Sequence, residues 1–110
     1  MFIAALLTLA SGSASAQTVR LDQYRHPSDP KFKEFNQLYL KGVLDGVIAY
    51  SVAHDARDRF FCIPAKMAIT VEQAEDILLR YAETKQLPGT VPIAVPLLGG
   101  LKDAFPCTKE

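Results

Sequence analysis

The sequence predicts a small all-α domain, a bundle of three to four helices tied by one disulfide. Three observations predict this class. Apolar residues recur at three- and four-residue steps in three separate segments, no segment alternates with period two, and the chain carries two cysteines. With 110 residues, the chain holds one domain at most.

The composition excludes several classes of function. Twelve basic and twelve acidic residues give a formal net charge of zero, so the chain lacks the positive excess that binds nucleic acid or an anionic membrane surface. Because 49% of the residues are hydrophobic and charged blocks are short, we expect a folded domain rather than a disordered chain.

The N-terminus has the pattern of a secretory signal peptide. An apolar run from Phe2 to Ala10 is followed by small residues, and Ala14-Ser15-Ala16 fits a cleavage site, so the mature chain is expected to begin at Gln17. The run is too short to span a bilayer, which takes about 20 residues, so we expect no stable membrane insertion after cleavage. The predicted organisation is a signal peptide, residues 1–16, a polar lead-in, residues 17–30, a helical domain, residues 31–107, and a C-terminal tail, residues 108–110.

The strongest helical pattern follows Asp29-Pro30, which is typical of an N-cap with proline at the first helical position. It predicts a helix from Lys31 to His54. Gly42 and Gly46 lie four residues apart inside this helix, and each costs about 1 kcal/mol relative to alanine. We therefore expect another helix to cross close to the backbone there, with Tyr39 at the same packing site.

Two further helices follow a charged connector. Thr70-Val71-Glu72-Gln73 forms a capping box, which predicts a second helix that ends before Leu87-Pro88-Gly89. A third helix is predicted from about Val91 to Phe105, capped by Thr90, and Pro96 predicts either a kink or a late start. Gly99-Gly100 lies inside this helical pattern, where close packing is the expected role.

Cys62 and Cys107 both lie in the predicted mature chain. An even number of cysteines in a small exported domain favours a disulfide, which would close a loop of about 46 residues and contribute about 4 kcal/mol in the chain-entropy model. Two buried free thiols, or a cysteine nucleophile activated by histidine, are the competing interpretations.

The residues that chemistry would need are scarce. His26 and His54 are the only histidines, which leaves a metal site incomplete. Acidic residues at the start of the second helix complement the positive helix end and do not indicate acid–base catalysis. We therefore predict no enzymatic activity, no metal site and no cofactor.

Four short motifs follow one another in a recognisable order: Tyr39-Leu40-Lys41-Gly42-Val43-Leu44-Asp45-Gly46, Phe61-Cys62-Ile63-Pro64, Ile69-Thr70-Val71-Glu72-Gln73 and Ala104-Phe105-Pro106-Cys107. In this order and spacing the chain resembles the Rap/Tai immunity proteins, which protect bacteria from type VI secreted peptidoglycan amidases. The resemblance covers residues 35–107. Each motif is weak by itself, whereas the series is fairly specific.

The resemblance implies a small helical periplasmic domain, often dimeric, with a disulfide between Cys62 and Cys107. It implies a protein that binds its amidase and obstructs the active-site cleft. The expected partners are therefore an amidase effector and a second copy of the chain.

Two polar breaks between the helices are the predicted partner-binding loops. Asp55, Arg57, Asp58 and Arg59 form the first, and Lys85, Gln86 and Thr90 contribute to the second. We expect the Cys62–Cys107 link to hold the first loop rigidly from behind, which favours binding. Reversing the charge of Arg57 and Arg59 is expected to weaken partner binding without changing the melting temperature.

Two other functions remain open at this point. The chain is also similar in size, helicity and disulfide spacing to the HdeA-type acid-stress chaperones of the periplasm. A third hypothesis is an envelope assembly factor that uses the same scaffold to bind another protein. The Phe61-Cys62-Ile63-Pro64 motif before the second helix favours the immunity family.

Overall fold

Four α-helices make up the fold of the computed structural model, which describes residues 18–108. The helices are α1 (Leu21–Arg25), α2 (Phe32–Val52), α3 (Val71–Thr84) and α4 (Ala94–Ala104), and a 3₁₀ turn (Ala56–Asp58) lies between α2 and α3. Within the described range there is no strand, only one isolated antiparallel bridge between Arg20 and Pro92. The predicted all-α class with one disulfide is confirmed. The predicted signal peptide lies outside the described residues.

The longest helix, α2, begins one residue later and ends two residues earlier than predicted. Asp29 is not its N-cap, which is Lys31. Instead, the Asp29 carboxylate accepts a hydrogen bond from the Lys31 N–H at 3.0 Å, and its carbonyl accepts one from the Phe32 N–H at 2.9 Å. Asp29 therefore stabilises the turn that leads into the helix.

The capping box at the start of α3 is confirmed. The Gln73 N–H donates to the Thr70 hydroxyl at 3.1 Å, and the Thr70 N–H donates to the Gln73 side chain at 2.9 Å. The helix ends in a Schellman motif, in which Leu87 N–H donates to the Ala82 carbonyl. Gln86 occupies the left-handed position of this motif with φ of 53°, where glycine is usual.

The last helix, α4, starts late because the residues before it bond to the N-terminal segment. The Leu21 N–H donates to the Val91 carbonyl at 2.9 Å, and the Ile93 N–H donates to the Val19 carbonyl at 3.0 Å. Thr90 is consequently not the helix cap, a position that Ile93 takes. Pro96 lies in the first helical turn, where its missing N–H has no intrahelical partner to lose.

The core lies mainly between α3 and α4, which share the most extensive helix–helix contact. A Cβ atom added at Gly100 would lie 2.5 Å from Cγ2 of Ile77 and 2.9 Å from its carbonyl oxygen, and one added at Gly99 would collide with the Tyr81 ring. The expectation of close packing at these glycines is confirmed. The fully buried side chains include Leu40 on α2, Leu78 on α3, and Leu97 and Leu101 on α4.

The prediction that residues 17–30 form only a polar lead-in is wrong, because α1 lies within this segment and belongs to the core. The short helix α1 buries Leu21 and Tyr24, and the Asn36 side chain donates to the Gln23 carbonyl at 3.2 Å. Burial, together with the nearby Glu75 carboxylate, raises the pKa of Tyr24, so its phenol stays protonated. A helix of five residues is too short to show apolar periodicity, which explains why the sequence pattern missed it.

The prediction of a close helix crossing at Gly42 and Gly46 is wrong for residues 18–108. Both glycines are exposed, and a Cβ atom added at either one would have no neighbour within 4 Å. Tyr39 is half-buried and packs against the core. By length and apolarity, no helix in the described part of the chain could cross a membrane.

Candidate functional site

The first predicted binding loop, the connector (residues 55–60), is a compact turn between α2 and α3. The Asp58 N–H donates to the Asp55 carbonyl at 2.8 Å, which closes the 3₁₀ turn. Phe61, directly after the connector, is buried, and its carbonyl accepts a hydrogen bond from the Ser51 hydroxyl at 3.1 Å. The connector is therefore fixed to the end of α2 and to the core.

The two connector arginines have different roles. Arg59 is half-buried and its guanidinium donates to the His54 carbonyl at 2.9 Å and to the Val52 carbonyl at 3.3 Å. Val52 is the last residue of α2, where the backbone carbonyls have no intrahelical donor, and His54 lies two residues beyond it. Arg57 is exposed and makes no hydrogen bond or ion pair within residues 18–108. Arg57 is thus available to a partner, whereas Arg59 caps the helix.

We expect this difference to appear in stability measurements. Replacing Arg59 with alanine removes two charge-assisted hydrogen bonds and should lower the free energy of unfolding by about 1 kcal/mol, as measured by urea denaturation. Arg57→Ala is the matched control and should leave the free energy unchanged. Equal effects of the two substitutions would contradict the capping role of Arg59. The sequence predicted that reversing the charge of both arginines would leave the melting temperature unchanged. With Arg59 as a helix cap, we expect this of Arg57 alone.

The predicted disulfide between Cys62 and Cys107 is confirmed and lies directly behind the connector. The Cys107 sulfur lies 3.6 Å from the Arg59 carbonyl oxygen, and the Cys62 sulfur lies 3.9 Å from that of Ala56. The Cys62 N–H also donates to the Phe105 carbonyl at 2.8 Å. Because both cysteines are oxidised to one another, the free-thiol and nucleophile interpretations are excluded.

An open groove of about 970 Å³, the connector groove, lies between the connector and the C-terminal end of the chain. One wall comes from Ala56, Arg57 and Phe60, and the other from Lys102 and Asp103 at the end of α4. The remaining lining residues are Arg59, Cys62, Ile63, Pro64, Pro106, Cys107 and Thr108.

The two walls are joined by a cation–π contact. The Lys102 ammonium lies 4.9 Å from the centroid of the Phe60 ring, which is 52% exposed. Contacts of this kind contribute about 0.5–1 kcal/mol at exposed sites. Arg57 and Lys102 make the rim of the groove mainly positive, with Asp103 as the opposing charge. The groove therefore combines apolar side chains such as Phe60 and Ile63 with charged ones, which suits a protein partner.

The second predicted loop lies apart from the connector groove. Lys85 is the C-cap of α3, and its ammonium lies 5.8 Å from the Tyr81 ring. Gln86 lines a different, more open hollow, while Thr90 is exposed. The hollow that Gln86 lines contains no connector residue, and the connector groove contains no residue of the second loop. The structure thus joins Arg57 and Arg59 in one site but does not bring Lys85, Gln86 or Thr90 to it.

Sequence analysis missed Lys102 and Asp103 as site residues. They belong to a helix far along the chain, and the disulfide, together with the hydrogen bond from the Cys62 N–H to the Phe105 carbonyl, holds that helix end against the connector. The predicted Cys62–Cys107 pairing was the one available signal, because a disulfide places its flanking residues side by side. Phe60 directly follows Arg59 in the sequence, but its exposure could not be read from the sequence.

Potential metal ligands are scattered over the described part of the chain. Within the described part of the chain, no three His, Cys, Asp or Glu side chains are placed to hold a metal ion. His54 lies two residues beyond α2, where Nδ1 is 3.0 Å from the Tyr50 carbonyl oxygen and the imidazole ring packs against the Tyr50 ring in a tilted geometry. Fold and site together define a small helical domain with one disulfide and an open groove beside it.

Comparison with known families identifies the chain more closely. Residues 6–107 match the family model described as Rap1a immunity proteins, which covers nearly the whole sequence. The chain therefore belongs to the Rap1a immunity protein family, in agreement with the resemblance noted from its motifs. This membership implies a protein that binds a partner effector. No curated protein and no solved structure gave a significant match.

Proposed function

We propose that this immunity protein is exported to the periplasm, where it binds and blocks a type VI secreted peptidoglycan amidase. The observation that carries the proposal is the connector groove, a fixed surface next to an unpaired arginine. The predicted signal peptide supports export. The disulfide agrees with it, because disulfides form and persist in oxidising compartments such as the periplasm.

The connector groove has the physical properties of a binding site for another protein. Arginine and exposed aromatic residues are enriched among residues that dominate binding energy, and Arg57 and Phe60 lie together on one wall. The disulfide and the Arg59 cap hold the connector before a partner arrives, so little conformational entropy is lost on binding. We propose that the effector contacts this groove and that the bound immunity protein obstructs the effector's cleft.

The capture of partners from periplasm tests this proposal first. Tagged protein is recovered from densely grown, contacting cells, and its partners are identified by mass spectrometry. The proposal expects one near-stoichiometric partner with the sequence of a cell-wall amidase. A spread of unrelated clients that appears only at acid pH would favour the chaperone hypothesis, and a stable complex with an envelope component would favour an assembly factor. Either result would contradict the proposal.

Arg57→Glu is expected to weaken binding of the captured amidase by at least about tenfold, because it reverses the one unpaired cation of the connector. The affinity is measured by calorimetry with the purified partners. Lys85→Glu is the matched control, since it makes the same charge change in the loop that lies apart from the groove, and it should bind as the wild type does. If Lys85→Glu weakened binding and Arg57→Glu did not, the binding site would lie at the second loop.

We also propose that this protein forms a homodimer. It is supported by an exposed apolar surface on α2, which is distinct from the connector groove.

A further inference from the structure

A second cavity, the α1 cavity, has a volume of about 450 Å³ and lies where α1 meets the start of α2 and the first half of α3. Helix α2 contributes Lys33 and Gln37, which lie one turn apart on one side of the helix, and α3 contributes Glu75 and Leu79 in the same way. The lining shares no residue with the connector groove. Sites for small ligands have volumes of about 300–1,000 Å³, a range that includes this cavity.

A buried hydroxyl without a partner belongs to the wall of the α1 cavity. Tyr24 is 7% exposed, and its hydroxyl oxygen reaches no hydrogen-bond partner within residues 18–108. Burial, together with the neighbouring Glu75 carboxylate, raises the pKa of Tyr24, so the hydroxyl keeps its proton and can both donate and accept. Buried polar groups are nearly always paired, because an unpaired one costs free energy. A bound polar molecule would supply the missing partner.

The charged side chains of the cavity form no ion pair with one another. Glu75 is half-buried, and within the described residues its side chain accepts one hydrogen bond, from the Gln37 amide at 3.4 Å. Arg25 and Lys33 are exposed, and neither makes an ion pair in the described range. His26, which is exposed as well, lines the same cavity. The cavity therefore offers a half-buried carboxylate and two cations at its exposed edge.

A small zwitterion would satisfy these groups together. Its ammonium group can donate to the Glu75 carboxylate and to the Tyr24 hydroxyl oxygen, while its carboxylate can accept from Arg25 and Lys33. A simple anion would be repelled by Glu75, and a simple cation would be repelled by the two basic side chains. Leu79 is half-buried in the wall, where it offers an apolar contact to a small side chain.

We propose that the α1 cavity binds a free amino acid or a short peptide, with the ligand's ammonium group at Glu75 and Tyr24 and its carboxylate at Arg25 and Lys33. The hydrogen bond from α2 to the Gln23 carbonyl, at 3.2 Å, already holds α1 in place, so little ordering is needed on binding. This site goes beyond the proposed function, because it lies apart from the groove proposed for the effector.

Binding of alanylalanine tests the proposal, with two blocked forms of the same dipeptide as controls. The protein as cells process it is titrated with each compound and followed by two-dimensional NMR. N-acetylation removes the ammonium charge and C-terminal amidation removes the carboxylate, so each blocked form should bind at least about tenfold more weakly than the free dipeptide. Equal binding of either blocked form would overturn the proposal. No saturable binding at tens of millimolar would overturn it as well, and would leave the cavity to water.

Substitutions separate a binding role from a structural one. Tyr24→Phe removes a hydroxyl that has no partner in the described chain, so the melting temperature should not fall, whereas the affinity for alanylalanine should fall about threefold or more. Glu75→Gln should weaken binding at least about tenfold. Glu72→Gln is the matched control, since it makes the same change at an exposed position of α3 outside the cavity, and it should bind as the wild type does.

Wild-type affinity in Tyr24→Phe, or equal effects of Glu75→Gln and Glu72→Gln, would contradict the assigned contacts. No effector takes part in these measurements, so their outcome is separate from the test of the immunity function.

Discussion

Replacement of both cysteines by serine is expected to lower the free energy of unfolding by about 4 kcal/mol. Cys62 and Cys107 are separated by 45 positions, and a disulfide that closes a loop of this length restricts the unfolded chain by about that amount. A domain of this size is stabilised by about 5–15 kcal/mol in total, so the change removes a large part of its stability. Guanidinium denaturation of the Cys62→Ser/Cys107→Ser variant measures the loss.

Chemical reduction of the wild-type protein is the control for this experiment, because it breaks the disulfide without changing the amino-acid sequence. Both samples should unfold at the same, lower denaturant concentration. The buried core between α3 and α4 does not involve the cysteines, so the reduced protein is still expected to be helical at low temperature. A loss below about 1 kcal/mol would show that the disulfide contributes little.

The second large effect is expected at Gly100, where α4 lies against the backbone of α3 at Ile77. In Gly100→Ala the new methyl group would lie 2.9 Å from the backbone carbonyl oxygen of Ile77, which cannot move without displacing α3. Overpacking of this kind costs about 1–3 kcal/mol, and the gain in helix propensity offsets only part of it. We expect a net loss of about 2 kcal/mol in the free energy of unfolding.

Gly42→Ala is the matched control for Gly100→Ala, since it makes the same chemical change in a helix at a position with no neighbour. Measured at concentrations where the chain is monomeric, Gly42→Ala should raise the free energy of unfolding by up to about 1 kcal/mol. The two substitutions should therefore have opposite signs. If Gly100→Ala proved neutral, the close contact between α3 and α4 would be absent in solution.

These two glycine sites illustrate what the sequence could and could not predict. Both sites are pairs of glycines within helical patterns, and close packing was expected at both. Of these four glycines, only Gly99 and Gly100 pack against another helix within residues 18–108. Periodicity predicts which residues form a helix, but it does not say whether the helix that packs on a given side belongs to the same chain.

The elements that the sequence predicted well have strong local signals. Apolar periodicity predicted three of the four helices described, and the capping box predicted Thr70 as the N-cap of α3. The short helix α1 was missed because its role depends on tertiary contacts. It is held by bonds between Leu21 and Val91 and by burial of Tyr24, neither of which leaves a local pattern.

The sequence predicted only part of the candidate site, because the rest of the site also depends on tertiary contacts. The connector was correctly placed against the disulfide, but the different roles of Arg57 and Arg59 depend on which backbone carbonyls lie within reach. Lys102 enters the site only because the chain folds back on itself. Identical residue types two positions apart can thus stabilise a helix end in one case and remain available to a partner in the other.

We propose that this protein neutralises a cell-wall amidase by binding it. The most direct measurement is a titration of the amidase captured with it, with release of peptides from purified peptidoglycan as the readout. We expect hydrolysis to stop when the immunity protein reaches one equivalent per amidase, and to persist at that ratio when Arg57→Glu replaces the wild type. Undiminished hydrolysis in a large excess of the wild-type protein would contradict the account.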